Sequence, residues 1–455
     1  MVGGASAGAG PNAGPKILLA KPASSRSENS AGATTSGAPA AVVKLMRERD
    51  DENTVRTRLP HGSLSLISES WEIYPDRLLP LMSDNTDFTV IGVLGPSGVG
   101  KSTILNELYG FDANSPGVLP PFSVLSDESK AMARHCSVGV ELRMSAERFI
   151  LLDTQPLFSA SVLTDLMRPD GSSSISVLAG ESLPAELAHE MMGIQLGVFL
   201  ASVCHVLLLV AEGLHDISLW RLMLTVEMLK QGIPDPTLVN LSAQGGLLHQ
   251  VSGDKDEDDA MQEELAEFFA DTIFIHTKLR EHECSWYNIK CLKKALGLYF
   301  PAPPFRKNGA VQYVLPHFPS KALSGKSSSR KKESTTGVDG VQNGITSIST
   351  SSEVQMIHMD IVEENSEDED SPGINYFVLP LQTQEECVKM QHESYTVMLQ
   401  KLRDQVLSMP RRSFARPVSE RDWLRNAARV WDYIKKSPVL ADYSRTLQNS
   451  GLYRR

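Results

Sequence analysis

The feature that most constrains the fold is a glycine-rich stretch between an apolar run, Phe88 to Leu94, and a helical pattern, Ser102 to Tyr109. Its residues are Gly95, Pro96, Ser97, Gly98, Val99, Gly100, Lys101, Ser102 and Thr103. This is the P-loop pattern GxxxxGK[ST], in which glycines let successive backbone N–H groups point at phosphate oxygens. We therefore expect all nine residues to bind nucleotide phosphates, with Lys101 reaching the β- and γ-phosphates.

Further apolar runs alternate with helical patterns along the chain. The runs are Glu147 to Leu152, Val203 to Val210, Thr272 to His276 and Tyr376 to Leu381. Near-continuous apolar runs are typical of strands that are buried on both faces of a sheet. The alternation therefore predicts an α/β fold of the P-loop NTPase type, with a doubly wound sheet.

Composition divides the chain into ordered and solvated parts. Residues 1–42 are rich in Ala, Gly, Ser and Pro, which predicts a disordered tail. A P-loop domain is expected over residues 60–316, with an acidic insertion at 253–267. Residues 320–372 are Ser-rich and then acidic, which predicts a second disordered insertion whose acid-flanked serines could be phosphorylated. Residues 373–450 then supply the last strand and a C-terminal helical extension.

The helical extension shows two amphipathic patterns. The first falls within residues 385–408, and Ser419 is expected to cap the second. The apolar stripe of the second pattern consists of Trp423, Ala427, Val430 and Ile434. We expect the two helices to form a hairpin that packs on the sheet domain.

Charge and cysteine content narrow the class of protein. A formal net charge of −11 over 455 residues disfavours general binding to nucleic acid, which needs Lys and Arg to neutralise phosphates. The five cysteines are widely spaced and odd in number, which indicates reduced thiols. Neither a secretory signal nor an apolar stretch of about 20 residues is visible. We expect a soluble cytoplasmic protein with no direct contact to nucleic acid or membrane.

A metal site is expected where the strand Phe149 to Asp153 ends. Asp153 could hold Mg²⁺ through water, or cap the next turn as an ordinary strand-end acid. The Ser102 hydroxyl is expected to bind Mg²⁺, and Ser137 could replace the Thr that closes over this ion in G proteins. Arg134 and His135 in the same loop could act in catalysis, but we interpret them as solvated loop residues.

Two positions depart from what a GTPase requires. Pro156 occupies the position of the Gly whose N–H senses the γ-phosphate, and proline has no N–H. Gln155 could orient water, although it is not where the Gln of Ras-type proteins lies. Lys278 is expected to lie along the base, but Arg280 replaces the Asp that accepts from guanine. We therefore expect bound GTP/GDP or ATP/ADP with Mg²⁺, held with little or no turnover.

Several segments resemble the Smg nine family of nonsense-mediated mRNA decay factors. They are Phe149 to Pro156, Val203 to Val210, Asp216 to Arg221, Thr225 to Lys230 and Trp423 to Leu447. The resemblance implies a G-domain-like fold related to the dynamin-type GTPases. It also implies pairing with a second G-fold protein, Smg eight. The pair would bind and restrain a large phosphatidylinositol-kinase-related protein kinase, which phosphorylates the helicase of the surveillance pathway.

The resemblance therefore implies a regulatory subunit of a kinase complex, with bound nucleotide and no catalytic residues. The sequence of the P-loop is closer to those of guanylate kinases and ABC ATPases than to those expected of animal members of that family, which favours a plant or other non-animal member. One alternative is an active dynamin- or septin-like GTPase or ATPase. Another is a small-molecule kinase of the guanylate kinase type, but the sequence lacks the Arg-rich lid that such a kinase needs.

Overall fold

A computed structural model describes six stretches of the chain. They are residues 64–112, 118–132, 134–238, 268–306, 373–382 and 393–453, without the side chains of Lys130 and Pro303. The chain divides into two units, Met1–Leu59 and Pro60–Arg455, and every described residue belongs to the second. The two segments predicted to be disordered, 1–42 and 320–372, and the predicted acidic insertion 253–267 lie outside the described residues.

The strands of the described residues form one mixed sheet. They are β1 (Ser65–Ile67), β2 (Thr89–Leu94), β3 (Val140–Met144), β4 (Phe149–Thr154), β5 (Val206–Glu212), β6 (Asp271–Leu279) and β7 (Asn375–Pro380). Their order across the sheet is β1-β3-β4-β2-β5-β6-β7. Strand β3 pairs antiparallel with both β1 and β4, whereas β4, β2, β5, β6 and β7 are parallel.

Helices connect these strands. They are α1 (Pro75–Leu78), α2 (Lys101–Tyr109), α3 (Asp127–Ala131), α4 (Ala160–Leu166), α5 (Ala185–Val203), α6 (Ile217–Lys230), α7 (Trp286–Tyr299), α8 (Tyr395–Ser408), α9 (Glu420–Lys435) and α10 (Pro438–Asn449). Side chains of Asp216, Ser285, Ser394, Ser419 and Ser437 cap five of them by accepting from a backbone N–H three residues on. Within the described ranges, every helix is too short or too polar to span a bilayer.

Both faces of the sheet are covered, which confirms the predicted α/β fold with a doubly wound arrangement. Every residue of β2 is buried. Alternate side chains point to opposite faces, so Ile91 and Val93 join one core cluster and Val90 and Leu94 join the other. Helices α2 and α8 contribute to the first cluster, and α5, α6, α7 and α9 contribute to the second.

The C-terminal helices do not form the predicted hairpin. Helix α8 packs on β7 and α2, whereas α9 and α10 pack on α5, across the sheet. The connection between them passes the amino edge of the strands, where Arg411 Nη1 donates to the Phe88 carbonyl at 3.0 Å. The predicted cap at Ser419 and the buried apolar stripe of α9 are confirmed. The hairpin prediction failed because α8 and α9 each bury their apolar stripe against a different layer.

Candidate functional site

The glycine-rich turn joins β2 to α2 at the carboxyl edge of the parallel strands, where doubly wound sheets bind ligands. Gly98 and Gly100 have φ angles of 73° and 100°, which residues with a Cβ rarely adopt. At Gly95 a Cβ would lie 2.1 Å from the Val210 carbonyl oxygen of β5. Glycine is therefore required for conformation at two positions and for close approach of a strand at the third.

Lys101 is held inside this turn. Its side chain is 7% exposed, and Nζ donates to the carbonyls of Gly95 at 3.0 Å and Pro96 at 2.9 Å. Burial lowers the pKa of Lys101 to about 8, and the nearby Asp153 carboxylate opposes part of that shift. The ammonium group is thus largely removed from water and satisfied by two carbonyl oxygens.

The three predicted metal ligands meet in one cluster, which we call the Asp153 cluster. Ser102 Oγ donates to Asp153 Oδ2 at 2.7 Å, and Ser137 Oγ donates to the same oxygen at 2.8 Å. The other oxygen, Oδ1, is buried and accepts no hydrogen bond within the described residues. Burial raises the pKa of Asp153, while Lys101 and the two hydroxyl groups lower it in part.

The Asp153 cluster has the ligand chemistry of a magnesium site. Mg²⁺ prefers oxygen ligands and is usually held by one or two carboxylates together with substrate phosphates and water. Each serine hydroxyl donates its proton to Asp153, which leaves oxygen lone pairs available to a cation. The unpaired Oδ1 atom of Asp153 is a further available acceptor. Ser102, Ser137 and Asp153 could therefore hold Mg²⁺, and the turn with Lys101 could hold phosphate.

A cavity of about 350 Å³ opens beside the turn. Its lining includes Ser97 to Thr103, Ser137 and Lys278. The other two predicted phosphate residues, Gly95 and Pro96, are not in the lining and instead supply the carbonyls that hold Lys101. The structure thus brings seven of the nine predicted phosphate residues, the metal candidates Ser102 and Ser137, and Lys278 to one cavity, while Asp153 is buried behind the wall and contacts Ser102 and Ser137.

Sequence reasoning missed several residues of the cavity wall, among them Gln382 and Tyr395. Gln382 follows β7 at the same edge of the sheet, and Tyr395 begins α8. Gln382 could have been predicted as a cavity residue from its position just after a predicted parallel strand, because the ends of parallel strands meet at one edge of the sheet. Tyr395 gave no local signal, since only the packing of α8 on α2 and β7 brings it there.

The end of β6 is tied to the turn by one side chain. Thr277 Oγ1 donates to the Val99 carbonyl at 2.9 Å and contacts the Ala211 carbonyl at 3.1 Å. Lys278 has a φ of 57°, and its Nζ donates to Glu212 Oε2 at 2.7 Å. Arg280 is exposed and is not in the cavity lining. Recognition of a base would therefore depend on Lys278 and on wall residues such as Gln382 and Tyr395.

The loop after β4 closes the cavity on the side of the Asp153 cluster. Pro156 lines the cavity. Gln155 is 5% exposed, and its side-chain oxygen accepts from the Gly139 N–H at 3.1 Å. The backbone N–H of Gln155 donates to the Gly139 carbonyl at 2.9 Å. Gln155 therefore holds two loops together instead of pointing into the cavity as a water-orienting side chain would.

His135 lines the cavity, while Arg134 is exposed and does not. The Nδ1 atom of His135 lies 2.9 Å from Ser161 Oγ, and Nε2 lies 3.8 Å from the Asp165 carboxylate. Burial lowers the pKa of His135, and Asp165 opposes part of that shift. The imidazole is therefore neutral at pH 7, and its place in the cavity wall differs from the solvated position we expected.

Comparison with known proteins finds curated relatives over most of the chain. The nonsense-mediated mRNA decay factor SMG9 of Xenopus tropicalis is 28% identical over 395 residues, which cover 85% of this chain and 67% of that protein. SMG9 of Salmo salar is 28% identical over 400 residues, covering 84% and 67%. Protein SMG9 of Drosophila melanogaster is 33% identical over 147 residues, covering 29% and 25%. No family model matches the chain. The vertebrate homologues of this chain thus carry the name SMG9.

Proposed function

We propose that this chain is a nucleotide-binding subunit, with little or no turnover, of a protein kinase complex that acts in nonsense-mediated mRNA decay. The role in decay rests on the named homologues, which match 85% of the chain. The observation that supports nucleotide binding most directly is the Asp153 cluster beside the buried Lys101. The sequence resemblance favours a second G-fold protein, Smg eight, as the partner of this chain. It also favours the kinase that phosphorylates the surveillance helicase as the enzyme that the pair regulates. The amino-acid sequence of the P-loop favours a non-animal member of the Smg nine family.

The residues of the cavity have distinct roles in this proposal. The backbone N–H groups of the turn, together with the amino end of α2, bind phosphate oxygens of GTP/GDP or ATP/ADP. Lys101 exchanges its two carbonyl acceptors for phosphate oxygens. Ser102, Ser137 and Asp153 hold Mg²⁺, which offsets the negative charge of the phosphates when bound.

Two features of the loop after β4 support low turnover. Pro156 borders the cavity without an N–H that could contact a γ-phosphate. The side chain of Gln155 is engaged with the Gly139 N–H, so it is not available to orient an attacking water. Binding without turnover would still stabilise the fold, because a ligand that binds only the folded state shifts the unfolding equilibrium.

An active GTPase or ATPase is the second candidate, and His135 is the observation in its favour. A neutral imidazole in the cavity wall is a suitable general base. Steady-state hydrolysis of GTP and ATP by wild type, Lys101→Ala and His135→Ala separates the candidates. We expect the same background rate from all three proteins. Hydrolysis by wild type clearly above both variants would make the chain an enzyme.

A tagged pull-down tests the assignment to a kinase complex. We expect the chain to recover a second G-fold protein and a very large kinase from its own cells. Lys101→Ala, which should fold but not hold nucleotide, shows whether the assembly depends on the ligand. Recovery of neither protein by wild type would contradict the proposed role.

A further inference from the structure

Helix α7 presents an exposed aromatic and basic surface. Trp286 is 55% exposed, Tyr287 is 65% exposed and Leu298 is 74% exposed. Large aromatic side chains with such exposure are uncommon on a folded domain and are enriched at interfaces. The surface, which we call the α7 face, consists of Trp286, Tyr287, Lys290, Cys291, Lys294 and Leu298.

These residues share one side of the helix. The opposite side packs into the core through Ile289, Leu292 and Leu296, each at most 2% exposed. Side chains three and four positions apart are neighbours on a helix, so Trp286 lies next to Lys290, and Lys294 next to Leu298. The α7 face is therefore a continuous exposed surface in which two cations lie between the aromatic pair at one end and Leu298 at the other.

The charge on the α7 face is not balanced by the described residues. Helix α7 contains three lysines and no Asp or Glu. Lys290 Nζ lies 5.0 Å from the centroid of the Trp286 ring, and neither Lys290 nor Lys294 forms an ion pair with a described carboxylate. Like charges four residues apart destabilise a helix. A negatively charged partner would therefore stabilise this surface.

A stretch of the same chain has the complementary composition. Residues 354–362 are largely apolar, and residues 363–370 contain six acids and no base. The apolar residues are Val354, Met356, Ile357, Met359, Ile361 and Val362. The stretch lies outside the described residues, so only its sequence and its points of attachment bear on its role.

Both points of attachment lie beside α7. Arg306, directly before the segment 307–372, and Ile374, two residues after it, form an isolated β-bridge. Arg306 Nη2 also donates to the Gly297 carbonyl of α7 at 3.5 Å. The acids lie four to eleven residues before Ile374, a reach of about 13–36 Å at about 3.3 Å per residue. The helix is about 21 Å long, so the acids can reach all of the α7 face.

We propose that residues 354–370 dock on the α7 face. The acidic half, which is nearer the attachment at Ile374, faces Lys294 and Lys290, and the apolar half covers Trp286 and Tyr287 at the far end of the helix. Because the segment is tethered, it acts at a high effective concentration, so contacts that are weak individually suffice. Ser366 lies within the acidic run, and phosphate there would add negative charge and strengthen docking. This inference is independent of nucleotide binding.

Cys291 is a native probe of the α7 face because it is exposed, whereas Cys204 and Cys284 are buried. Its alkylation by iodoacetamide is followed in the full chain by peptide mass spectrometry. Docking that is about 80% populated protects the thiol about fivefold. The test variant replaces the six acids of the run with amides (Glu363→Gln, Glu364→Gln, Glu367→Gln, Asp368→Asn, Glu369→Gln, Asp370→Asn). We expect alkylation about fivefold faster in this variant.

The control variant replaces six acids outside the stretch (Asp254→Asn, Asp256→Asn, Glu257→Gln, Asp258→Asn, Asp259→Asn, Glu263→Gln) and should match wild type. Carbodiimide cross-linking should join Lys290 or Lys294 to the acids of residues 363–370 within one chain. Equal alkylation in all three proteins would overturn the proposal. Cross-links from α7 to residues 254–263, or to a second copy, would assign the α7 face to another occupant and overturn it too.

Discussion

The two ends of the cavity beside the glycine-rich turn are built differently. At the phosphate end, two hydroxyl groups donate to the fully buried Asp153, and Lys101 is buried beside it. At the base end, Lys278 and Glu212 form an ion pair in which both side chains are largely exposed, at 40% and 58%. Exposed pairs contribute at most about 1 kcal/mol. The phosphate end is therefore preorganised, whereas the base end is only loosely fixed.

This difference indicates how the cavity would select its ligand. A buried, hydrogen-bonded arrangement rejects ligands that leave its polar groups unpaired, whereas solvated side chains discriminate weakly. We therefore expect the polyphosphate with Mg²⁺ to supply most of the binding free energy. The base should contribute less than it does in proteins with a buried carboxylate acceptor.

The largest expected effect is a loss of folding stability at low pH. It comes from His276 of β6, which is buried as a neutral group just before the exposed Lys278. Its Nδ1 lies 3.0 Å from the Gly213 carbonyl, and Nε2 is buried without a described partner. Burial lowers the pKa of His276 to about 4. The unfolded chain, with an ordinary pKa near 6.5, then binds more protons between pH 6.5 and 4. Stability should fall by about 3 kcal/mol as pH drops through that window, and level off below it.

Urea unfolding of wild type and His276→Gln at pH 7 and pH 4 measures this loss. The glutamine amide can still donate to the Gly213 carbonyl but does not titrate, so the variant should lose about 3 kcal/mol less than wild type over the same range. His282→Gln is the matched control, because His282 is exposed. The same pH dependence in wild type and His276→Gln would show that this histidine is not buried as described.

The next largest effect concerns the phosphate end. Asp153→Asn removes the charge that would hold Mg²⁺, so affinity for nucleotide with Mg²⁺ should fall about 100-fold, or about 2.7 kcal/mol. Without its ligand the variant should be at least as stable as wild type at pH 7, because the buried carboxylate has a raised pKa and its ionised form costs stability there. Titration with a fluorescent nucleotide and thermal unfolding measure the two quantities.

Asp165→Asn is the control for Asp153→Asn, since its carboxylate is 72% exposed and near the same loop. Its affinity should match wild type. If Asp153→Asn bound as tightly as wild type in Mg²⁺, the Asp153 cluster would not be a metal site.

A smaller effect is expected at Ser137, which reaches the cluster from the loop before β3. Ser137→Ala removes one hydroxyl group from Asp153, so affinity in Mg²⁺ should fall about tenfold, while Ser137→Thr should retain it. The same two variants measured in excess chelator should not differ from wild type. A loss that persists without Mg²⁺ would mean that Ser137 supports the loop and not the ion.

The smallest effect on nucleotide affinity is expected at Lys278, at the base end of the cavity. Lys278→Ala removes a solvated ion pair, so affinity should change by less than about threefold. Arg280→Ala, which alters an exposed residue outside the cavity lining, serves as the comparison and should have no effect. Competition with GTP and ATP measures both. A loss from Lys278→Ala as large as that from Asp153→Asn would reverse our ranking of the two ends.

The contrast between the two ends also explains which parts were predictable. The glycine-rich turn and Asp153 could be predicted as candidate phosphate and metal residues because a motif of fixed spacing and the end of a strand identify them, which is local information. Tyr395 was missed because only long-range packing of α8 brings it to the cavity. The separation of α8 from α9 was missed for a similar reason, since periodicity identifies an apolar stripe but not the surface it covers.

The exact ends of strands are a second feature that could not be predicted from the sequence. The apolar run Val203 to Val210 was predicted as one strand, but α5 extends to Val203 and β5 begins only at Val206. Residues 194–211, which include the end of α5 and nearly all of β5, are all buried, so hydrophobicity does not change where one element ends and the other begins. Such boundaries depend on the backbone hydrogen bonds of the sheet, such as that from the His205 N–H to the Val90 carbonyl.

Mass spectrometry of the nucleotide released from purified protein tests the central claim most directly. We predict that denatured wild type, purified in Mg²⁺, releases close to one nucleotide per chain, and that Lys101→Ala, purified in parallel, releases almost none. The identity of the base is read in the same spectrum. Equal, negligible release from both proteins, with no binding when nucleotide is added back at saturating concentration, would contradict the assignment of the glycine-rich turn and the Asp153 cluster as a nucleotide site.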